Sequence, residues 1–227
     1  MANYNTEKII AGEKAIDFIE DGMLLGLGSG STVYYTIKKI GERVKEGLKI
    51  KAVSTSAVTL QLASSLGIEI LPFNDIEKTD LTIDGADEVD PELNGIKGGG
   101  GALLYEKLVA EVSDKIIWVV DSSKMVSKLG KFPLPVEVIQ FGSLHTIKKL
   151  KDRKFNPILR MKDNKPFITD AGNFIVDLHL GVINKPMELN NELKAITGVV
   201  ETGLFLNLVD LAIIGQGTGV RMVKRNS

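Results

Sequence analysis

The sequence contains no cysteine, which excludes disulfide bonds, thiolate nucleophiles and metal sites built on cysteine. Histidine is nearly absent as well, and neither His145 nor His179 lies in a glycine-rich loop. If the protein is an enzyme, we therefore expect its proton transfers to depend on carboxylates and lysines. The N-terminal segment has no long apolar run, so we predict neither a signal peptide nor a membrane span.

The chain also lacks an excess of charge of either sign. Its net charge is −1, which gives no reason to expect nucleic acid or a membrane surface as a partner. With 44% hydrophobic and 25% charged residues, the 227-residue chain has a globular composition and is long enough for one large domain or two small ones. We therefore expect a cytoplasmic enzyme or a protein that binds a small molecule.

Short apolar strands alternate with helical segments through the first part of the chain. The predicted strands include MLLGLG, LKIKAVSTS, TDLTIDGAD and KIIWVVDSSK, and segments with helical spacing separate them. This alternation is typical of βαβ units, whose strands pair in parallel. We predict an α/β fold with an open, mostly parallel sheet and helices on both faces, of the Rossmann-like kind.

The pattern changes after residue 130. A strand, a helix, a strand, a hairpin around TDAGN, a second helix and the strand GVVETGLFL approximate a small α+β module of the ferredoxin-like β-α-β-β-α-β kind. The late segment VDLAIIG is expected to return to the first sheet. We predict an α/β catalytic domain formed by residues 1–130 and 207–227, and an inserted α+β domain, residues 131–206, that contacts other subunits.

Four predicted strands end in polar residues. These endings lie at Gly26–Thr32, Ser54–Ser56, Asp84–Asp87 and Asp121–Lys124. In an open α/β sheet, ligands bind outside the carboxyl ends of the strands. If the four strands are parallel neighbours, their loops open on one edge of the sheet and form a single site.

The first loop, GLGSGST, has the composition of an anion-binding turn. Its glycines let backbone N–H groups approach an anion, Ser29, Ser31 and Thr32 add hydroxyl groups, and the next helix directs its positive end at the same place. No Gly-Lys-Ser/Thr follows, so the loop is not a P-loop, and Ser31 or Val33 occupies the third glycine position of a dinucleotide fingerprint. A plain strand-to-helix turn is the alternative to phosphate binding.

The segment DGADEVDPELNGIKGGGGALLYEK combines carboxylates with bare backbone. Asp84 and Asp87 are candidates for binding sugar hydroxyls, with turn formation or helix capping as the alternative. Asp87, Glu88 and Asp90 also suggest a metal, but a lysine follows them and the spacing of a calcium loop is absent.

The four glycines of the same segment lie between a loop and a well-patterned helix. A glycine run is entropically costly, so we expect its backbone to contact a ligand. Lys97 precedes it and is a candidate for stabilising an oxyanion, and Glu106 in the following helix is a candidate general base. The alternatives are a solvated lysine and a solvated helix glutamate. Lys124 either pairs with a carboxylate or reaches the phosphate.

Taken together and in this order, GLGSGST, DGADEVD, KGGGGALLYEK, DSSK, GKFPLPVEV and GVVETGLF resemble the ribose-5-phosphate isomerase type A family over nearly the whole chain. The resemblance implies interconversion of D-ribose 5-phosphate and D-ribulose 5-phosphate in the non-oxidative pentose phosphate pathway. It implies no metal, no organic cofactor, and a homodimer or homotetramer.

The resemblance also assigns roles to individual residues. It implies Glu106 as the proton acceptor, Asp84 and Asp87 as groups that contact the sugar, and Lys97 as the family's lysine before the glycine run. The remaining substrate-binding residues implied by the family motifs are Ser29, Gly30, Ser31, Thr32, Gly85, Ala86, Gly98, Gly99, Gly100, Lys124 and, from the N-terminal segment, Lys8.

Two other functions remain open at the level of sequence. A non-catalytic sugar-phosphate sensor needs the anion loop but not the Lys97–Glu106 pair, and usually carries a DNA-binding domain. A nucleotide-dependent oxidoreductase needs the dinucleotide fingerprint that this loop lacks. Isomerisation of ribose 5-phosphate in D₂O, with deuterium entering the sugar, distinguishes the isomerase from both.

Overall fold

The computed structural model describes residues 4–225. Its α-helices are α1 (Tyr4–Lys14), α2 (Val33–Lys45), α3 (Ala57–Ser65), α4 (Leu103–Glu111), α5 (Ser143–Asp152) and α6 (Pro186–Lys194). Short 3₁₀ helices span Ala15–Phe18, Phe73–Asp75 and Ser122–Lys124. Across this described range, no helix is both long and apolar enough to cross a bilayer.

The first strands lie mostly in the N-terminal half. They are β1 (Leu24–Leu27), β2 (Lys51–Ser54), β3 (Glu69–Ile70), β4 (Leu81–Asp84), β5 (Glu88–Val89), β6 (Gly95–Ile96), β7 (Ile116–Asp121) and β8 (Leu134–Val138). The later strands are β9 (Pro157–Leu159), β10 (Met161–Lys162), β11 (Lys165–Pro166), β12 (Phe174–Leu178), β13 (Val199–Thr202), β14 (Leu204–Phe205), β15 (Leu211–Gln216) and β16 (Gly219–Lys224).

The central sheet has seven strands in the order β16-β15-β7-β4-β1-β2-β3. Every neighbouring pair is parallel except β15 and β16, which form an antiparallel hairpin at one edge. The predicted α/β fold class is confirmed, and VDLAIIG returns to this sheet as β15. The edge strand β16 was not predicted.

Strand β7 shows why the sheet is covered on both faces. All six of its residues are buried, as expected for a central parallel strand. Ile117 and Val119 pack in one core with residues of α1, α2 and α3, whereas Trp118 and Val120 pack in another with Ala110 of α4. Successive side chains of a strand point to opposite faces, so β7 contributes to both layers.

The smaller sheet is antiparallel and has the order β13-β8-β12-β9. Its strands and helices follow in the chain as β8-α5-β9-β12-α6-β13, which is the predicted β-α-β-β-α-β connectivity. It encloses a core of its own, which includes Val136, Leu150, Val176 and Leu193. The division of the chain at residues 131 and 206 stays a prediction.

One local prediction in this module was incomplete and another was wrong. The regular hairpin joins β10 to β11 through Asp163 and Asn164, both at positive φ, as in a type I′ turn. The chain also reverses at TDAGN, as predicted: Ile168 and Phe174 form one antiparallel bridge, and the N–H of Thr169 donates to the carbonyl of Asn173 at 2.9 Å. The regular pairing expected of a full hairpin is absent there. The predicted strand GVVETGLFL is divided at Gly203, after which β14 pairs with β6 in a three-stranded sheet with β5.

Candidate active site

Strands β7, β4, β1 and β2 are neighbours and parallel, so their carboxyl ends meet at one edge of the central sheet. A cavity of about 110 Å³ lies there. It is lined by Ser29, Gly30, Ser31, Thr32, Gly85, Ala86, Asp87, Lys97, Gly98, Gly99, Gly100, Glu106 and Lys124. Residues from three of the four predicted loops, the glycine run and α4 therefore share one cavity.

Two of the predicted site residues do not line this cavity. Asp84 is buried behind Lys97, at the end of β4. Lys8 lies half-buried on α1, and it is absent from the lining. The structure thus brings the other candidates together, while the catalytic and binding roles of all of them stay predictions.

A buried lysine lies between two buried carboxyl groups. The Nζ atom of Lys97 lies 3.0 Å from Oδ2 of Asp84 and 3.1 Å from Oε1 of Glu106, and it donates to the carbonyl of Gly85 at 2.5 Å. All three charged residues are at most 4% exposed. The ring of Phe205 lies against the ammonium group, with its centroid 5.5 Å from Nζ. The cluster is therefore an ion-paired centre shielded from water, where charges interact strongly.

Burial is the main reason why the pKa of Glu106 is raised, to about 8. The negative charge of Asp84 raises this pKa further, and Lys97 opposes the shift. Burial also disfavours the charged form of Lys97, but the two carboxyl groups outweigh it and raise the pKa of Lys97 above its ordinary 10.5. Near neutral pH, the cluster thus holds an ammonium ion and a glutamate that is mostly protonated and approaches its midpoint of ionisation at about pH 8.

Hydrogen bonds indicate which carboxyl group keeps its negative charge. Oδ1 of Asp84 accepts the backbone N–H groups of Ser29 at 3.0 Å and Gly85 at 2.7 Å, in addition to the lysine bonded to Oδ2. Oε2 of Glu106 is buried and has no hydrogen-bond partner. Burial raises the pKa of Asp84 too, while Lys97 and these donors oppose that rise. We infer that the exchangeable proton resides on Glu106.

The anion loop after β1 is shaped around Asp84. A Cβ atom at Gly28 would lie 1.9 Å from Oδ1 of Asp84, so only glycine fits there. Gly30 has a φ of +119°, which side chains rarely adopt. Across residues 4–225, the amides of Gly30, Ser31 and Thr32 donate to no protein group. Three free N–H groups at the start of α2 form a suitable site for an anion.

The Ser29 hydroxyl group was predicted to contribute to the anion site, but it contacts other hydroxyl groups of the protein instead. Its Oγ atom lies 3.0 Å from Oγ1 of Thr55, 2.8 Å from Oγ of Ser56 and 3.2 Å from Oγ1 of Thr59. No residue of the Ser54–Ser56 loop appears in the lining of the cavity. That loop therefore supports the anion loop from behind and acts through Ser29, which corrects the expectation that all four loops line one site.

The carboxylates that suggested a metal bind backbone instead. Glu88 accepts the N–H groups of Gly130 and Phe132, each at 2.7 Å. Asp90 accepts the N–H groups of Glu92 and Asn94, each at 2.9 Å. Within residues 4–225, no group of three acidic or histidine side chains is arranged to hold a metal ion. Asp90 therefore stabilises the turn between β5 and β6, which precedes the glycine run, and Glu88 holds the segment that precedes β8.

The glycine run is held from two directions. The N–H of Gly99 donates to Oδ2 of Asp87 at 2.7 Å, on the side of the cavity. On the other side, Arg160 donates to the carbonyl of Gly98 at 2.7 Å. Arg160 and Asp177, its partner, were not predicted as site residues. Arg160 lies 62 residues after Gly98, Asp177 lies further still, and neither is in a glycine-rich motif. Only the opposite charges of Arg160, which follows β9, and Asp177 of β12 signal them.

The fold and the site together define an α/β enzyme that handles a small phosphorylated substrate, with a buried lysine–carboxylate centre beside an anion loop. The family model for ribose 5-phosphate isomerase A (phosphoriboisomerase A) matches residues 51–219. The chain belongs to this family.

Individual relatives agree over almost the whole length. A ribose-5-phosphate isomerase A from Streptococcus gordonii is 51% identical over 220 residues, which is 96% of this chain and 98% of that protein. One from Bacillus mycoides is 53% identical over 94% of this chain and 97% of its own length. The structure of ribose 5 phosphate isomerase A from Neisseria gonorrhoeae is 39% identical, covers 100% of both chains and has a TM-score of 0.93. A structure of D-ribose-5-phosphate isomerase in complex with phospho-erythronic acid is 41% identical over 98% of this chain and 100% of that one, with a TM-score of 0.94.

Proposed function

We propose that this protein is an aldose–ketose isomerase that interconverts D-ribose 5-phosphate and D-ribulose 5-phosphate through an enediolate. The observation that carries this proposal is the single cavity in which a glutamate of pKa about 8, a buried lysine and a loop of free amides face one substrate. A phosphate at the loop supplies binding energy far from the reacting carbons and positions them.

Glu106 is the proposed proton carrier. Its ionised carboxylate removes the proton from C2, and the C–H electron pair forms the C1–C2 double bond of the enediolate. The same carboxyl group then returns the proton to C1, while a hydroxyl proton moves from O2 to O1 and leaves the ketose. A base with a pKa near the working pH suits both directions of this transfer.

Lys97 is the proposed stabiliser of the enediolate oxygen. Its ammonium group already touches Glu106 at 3.1 Å, so positive charge stands beside the site of deprotonation before substrate binds. The position of Asp84 behind Lys97 supports a role in holding the ammonium group; opening of the sugar ring by Asp84 remains the alternative. Asp87 is proposed to orient the sugar hydroxyl groups, and Lys124 to bind the phosphate with the anion loop.

A related isomerase has been solved in complex with phospho-erythronic acid, and this compound fits the roles proposed for the anion loop and Lys97. It carries a phosphate at one end and a carboxyl group at the other, and the planar carboxylate resembles the negatively charged enediolate. We expect this compound to bind here with its phosphate at the loop and its carboxylate beside Lys97, and to inhibit competitively.

The decisive experiment is incubation with ribose 5-phosphate in D₂O. We expect ribulose 5-phosphate to form with solvent deuterium at C1, because the proton on Glu106 exchanges with solvent. Binding of the sugar phosphate without turnover would instead indicate a sensor. Glu106→Gln should lower kcat by about 10²–10⁴-fold, whereas Glu111→Gln, an exposed glutamate of the same helix, should leave it unchanged.

The assembly and the role of the smaller module are proposals of the same kind. We expect a homodimer or homotetramer, with residues 131–206 contributing to the contact between subunits. Light scattering on the purified protein tests the oligomer, and a monomer at micromolar concentration would contradict it. The cytoplasmic location and the place in the pentose phosphate pathway stay predictions.

A further inference from the structure

The backbone of the glycine run is fixed by a side chain from the smaller module. Nη1 of Arg160 donates to the carbonyl oxygens of Gly98 at 2.7 Å and Gly99 at 3.1 Å. The same guanidinium is held by Asp177, which accepts from Nε at 2.9 Å and from Nη2 at 2.5 Å. Both charged side chains are less than one-fifth exposed. This is a bidentate pair, which orients a guanidinium more strictly than a single ion pair does.

The direction of the two carbonyl groups determines the direction of the amides. In a planar trans peptide, the C=O and the N–H point to opposite sides. With the Gly98 carbonyl turned to Arg160, the N–H of Gly99 reaches Asp87 at 2.7 Å. With the Gly99 carbonyl turned the same way, the N–H of Gly100 is directed away from Arg160. Gly100 lines the cavity, and within residues 4–225 its N–H donates to no protein group.

The run has one internal constraint, the hydrogen bond from the Gly101 N–H to the Gly98 carbonyl at 2.9 Å, and otherwise depends on groups outside it. Gly98 and Gly101 have φ values of +103° and +82°, and a chain of four glycines has many other conformations of similar energy. Phe167 closes the space beside Gly101, where a Cβ atom would lie 2.3 Å from its ring. Oxyanion donors accelerate a reaction only when they are oriented before charge develops. Arg160 supplies that orientation from outside the cavity.

We propose that Arg160, held by Asp177, is a positioning residue for the isomerisation. It turns the 98–99 peptide so that its N–H fixes Asp87, and the 99–100 peptide so that its N–H donates to the substrate oxygen that becomes negative in the enediolate. This inference rests on the proposed isomerase function. It also gives the smaller module a part in the active site that does not depend on contacts between subunits.

The first test measures kcat and KM for ribose 5-phosphate in Arg160→Met. We expect kcat to fall by about 10–100-fold. This is less than the cost of removing an oxyanion donor, about 10²–10³-fold, because the Gly100 N–H would be displaced and not removed. KM should stay within about threefold, because the anion loop is untouched. Arg160→Lys should recover part of kcat, since a lysine reaches a carbonyl but does not bind Asp177 bidentately at the same time. Arg153→Met is the matched control, because Arg153 forms an exposed pair with Glu192 in the same module.

The second test compares two ligands. Phospho-erythronic acid presents a carboxylate where the enediolate forms, whereas inorganic phosphate occupies only the anion loop. In Arg160→Met we expect the inhibition constant of phospho-erythronic acid to rise in parallel with the loss of kcat, and that of inorganic phosphate to stay within about twofold. A merely structural arginine would change both constants together or neither.

The outcomes separate this inference from the function on which it rests. An inactive wild-type protein overturns the proposed isomerase, whatever the variants do. An active wild type with unchanged kcat in Arg160→Met, or equal weakening of both inhibitors, overturns the positioning role. If Arg160→Met does not fold, Asp177→Asn decides: we expect a smaller loss of kcat with KM unchanged, and normal turnover in a folded Asp177→Asn protein refutes the proposal.

Discussion

The raised pKa of Glu106 leads to a quantitative prediction for the pH dependence of catalysis. If Glu106 is the base, as proposed, the free enzyme is competent only when this carboxyl group is ionised. With a pKa of about 8, about 1% of the carboxyl is ionised at pH 6, about 10% at pH 7 and half at pH 8. We therefore expect kcat/KM to rise roughly tenfold between pH 6 and 7, roughly 50-fold between pH 6 and 8, and to level off above pH 9.

The assay is the initial rate of ketose formation at low ribose 5-phosphate, from pH 5.5 to 9.5 at constant ionic strength. The phosphate of the substrate loses its second proton near pH 6, about two units below the expected midpoint, so the two titrations are distinguishable. Asp87→Asn provides an internal check. The negative charge of Asp87 raises the pKa of Glu106, so its removal should move the midpoint of the residual activity to lower pH.

Two results would refute the reasoning. A rising limb centred near 4.5, the ordinary pKa of a glutamate, would mean that Glu106 is not desolvated as the buried cluster requires. A profile whose midpoint near 8 persists in Glu106→Gln would assign the titration to another group. Either result would remove the physical basis for treating Glu106 as the base.

Three further predictions concern the same buried cluster. First, the pKa of Glu106 is higher in the folded state than the 4.5 of the unfolded chain. Its contribution to the free energy of unfolding is therefore fully present below pH 4.5 and is lost as pH rises through about 8. At about 1.4 kcal/mol per pKa unit, this loss approaches roughly 5 kcal/mol. Urea unfolding at pH 8 should show Glu106→Gln to be more stable than wild type by roughly 1–3 kcal/mol. The gain is smaller than the whole loss calculated for Glu106, because a buried amide N–H of the glutamine lacks an acceptor. An unchanged or lower stability would contradict this prediction. Second, Lys97→Met leaves Asp84 without its counter-ion. We expect about 3–5 kcal/mol of destabilisation and about 10²–10³-fold lower kcat in the folded fraction. Unfolding like that of wild type would show that the ion pair is not buried. Third, Gly28→Ala should lower both the melting temperature and kcat, because the alanine Cβ would lie 1.9 Å from the Asp84 carboxylate. An unchanged melting temperature and kcat would contradict the close contact between Gly28 and Asp84.

The positions of the four loops show how far local patterns reach. The strands before Gly26–Thr32, Asp84–Asp87 and Asp121–Lys124 were predictable because a buried parallel strand reads as a short apolar run and ends where polar residues begin. Their shared edge followed from the rule for open α/β sheets. The Ser54–Ser56 loop obeyed the same rule in topology but not in contact: its hydroxyl groups reach Ser29 and not the cavity.

The smaller module shows where local patterns fail. Its connectivity was predictable from alternating strand and helix periods, and the chain does reverse at TDAGN, where Ile168 and Phe174 form an antiparallel bridge. The second reversal, at Asp163 and Asn164, was not predicted. Both segments carry residues that tolerate turns, but which flanking strands pair regularly depends on partners far along the chain. The same holds for the break at Gly203, whose carbonyl accepts the N–H of Lys97 at 2.9 Å.

The sequence by itself determined which functional groups are available for catalysis and binding. They are carboxylates, lysines and glycines in loops at the ends of apolar strands, without cysteine and with little histidine. Backbone sterics and the periodicity of side chains act over a few residues, so these features can be read locally. The tertiary structure decided which groups ionise and which are held. Burial beside Asp84 raises the pKa of Glu106 to about 8, and Arg160 reaches the glycine run from the other side. Desolvation and long-range pairing depend on neighbours in space, which only the folded chain brings together.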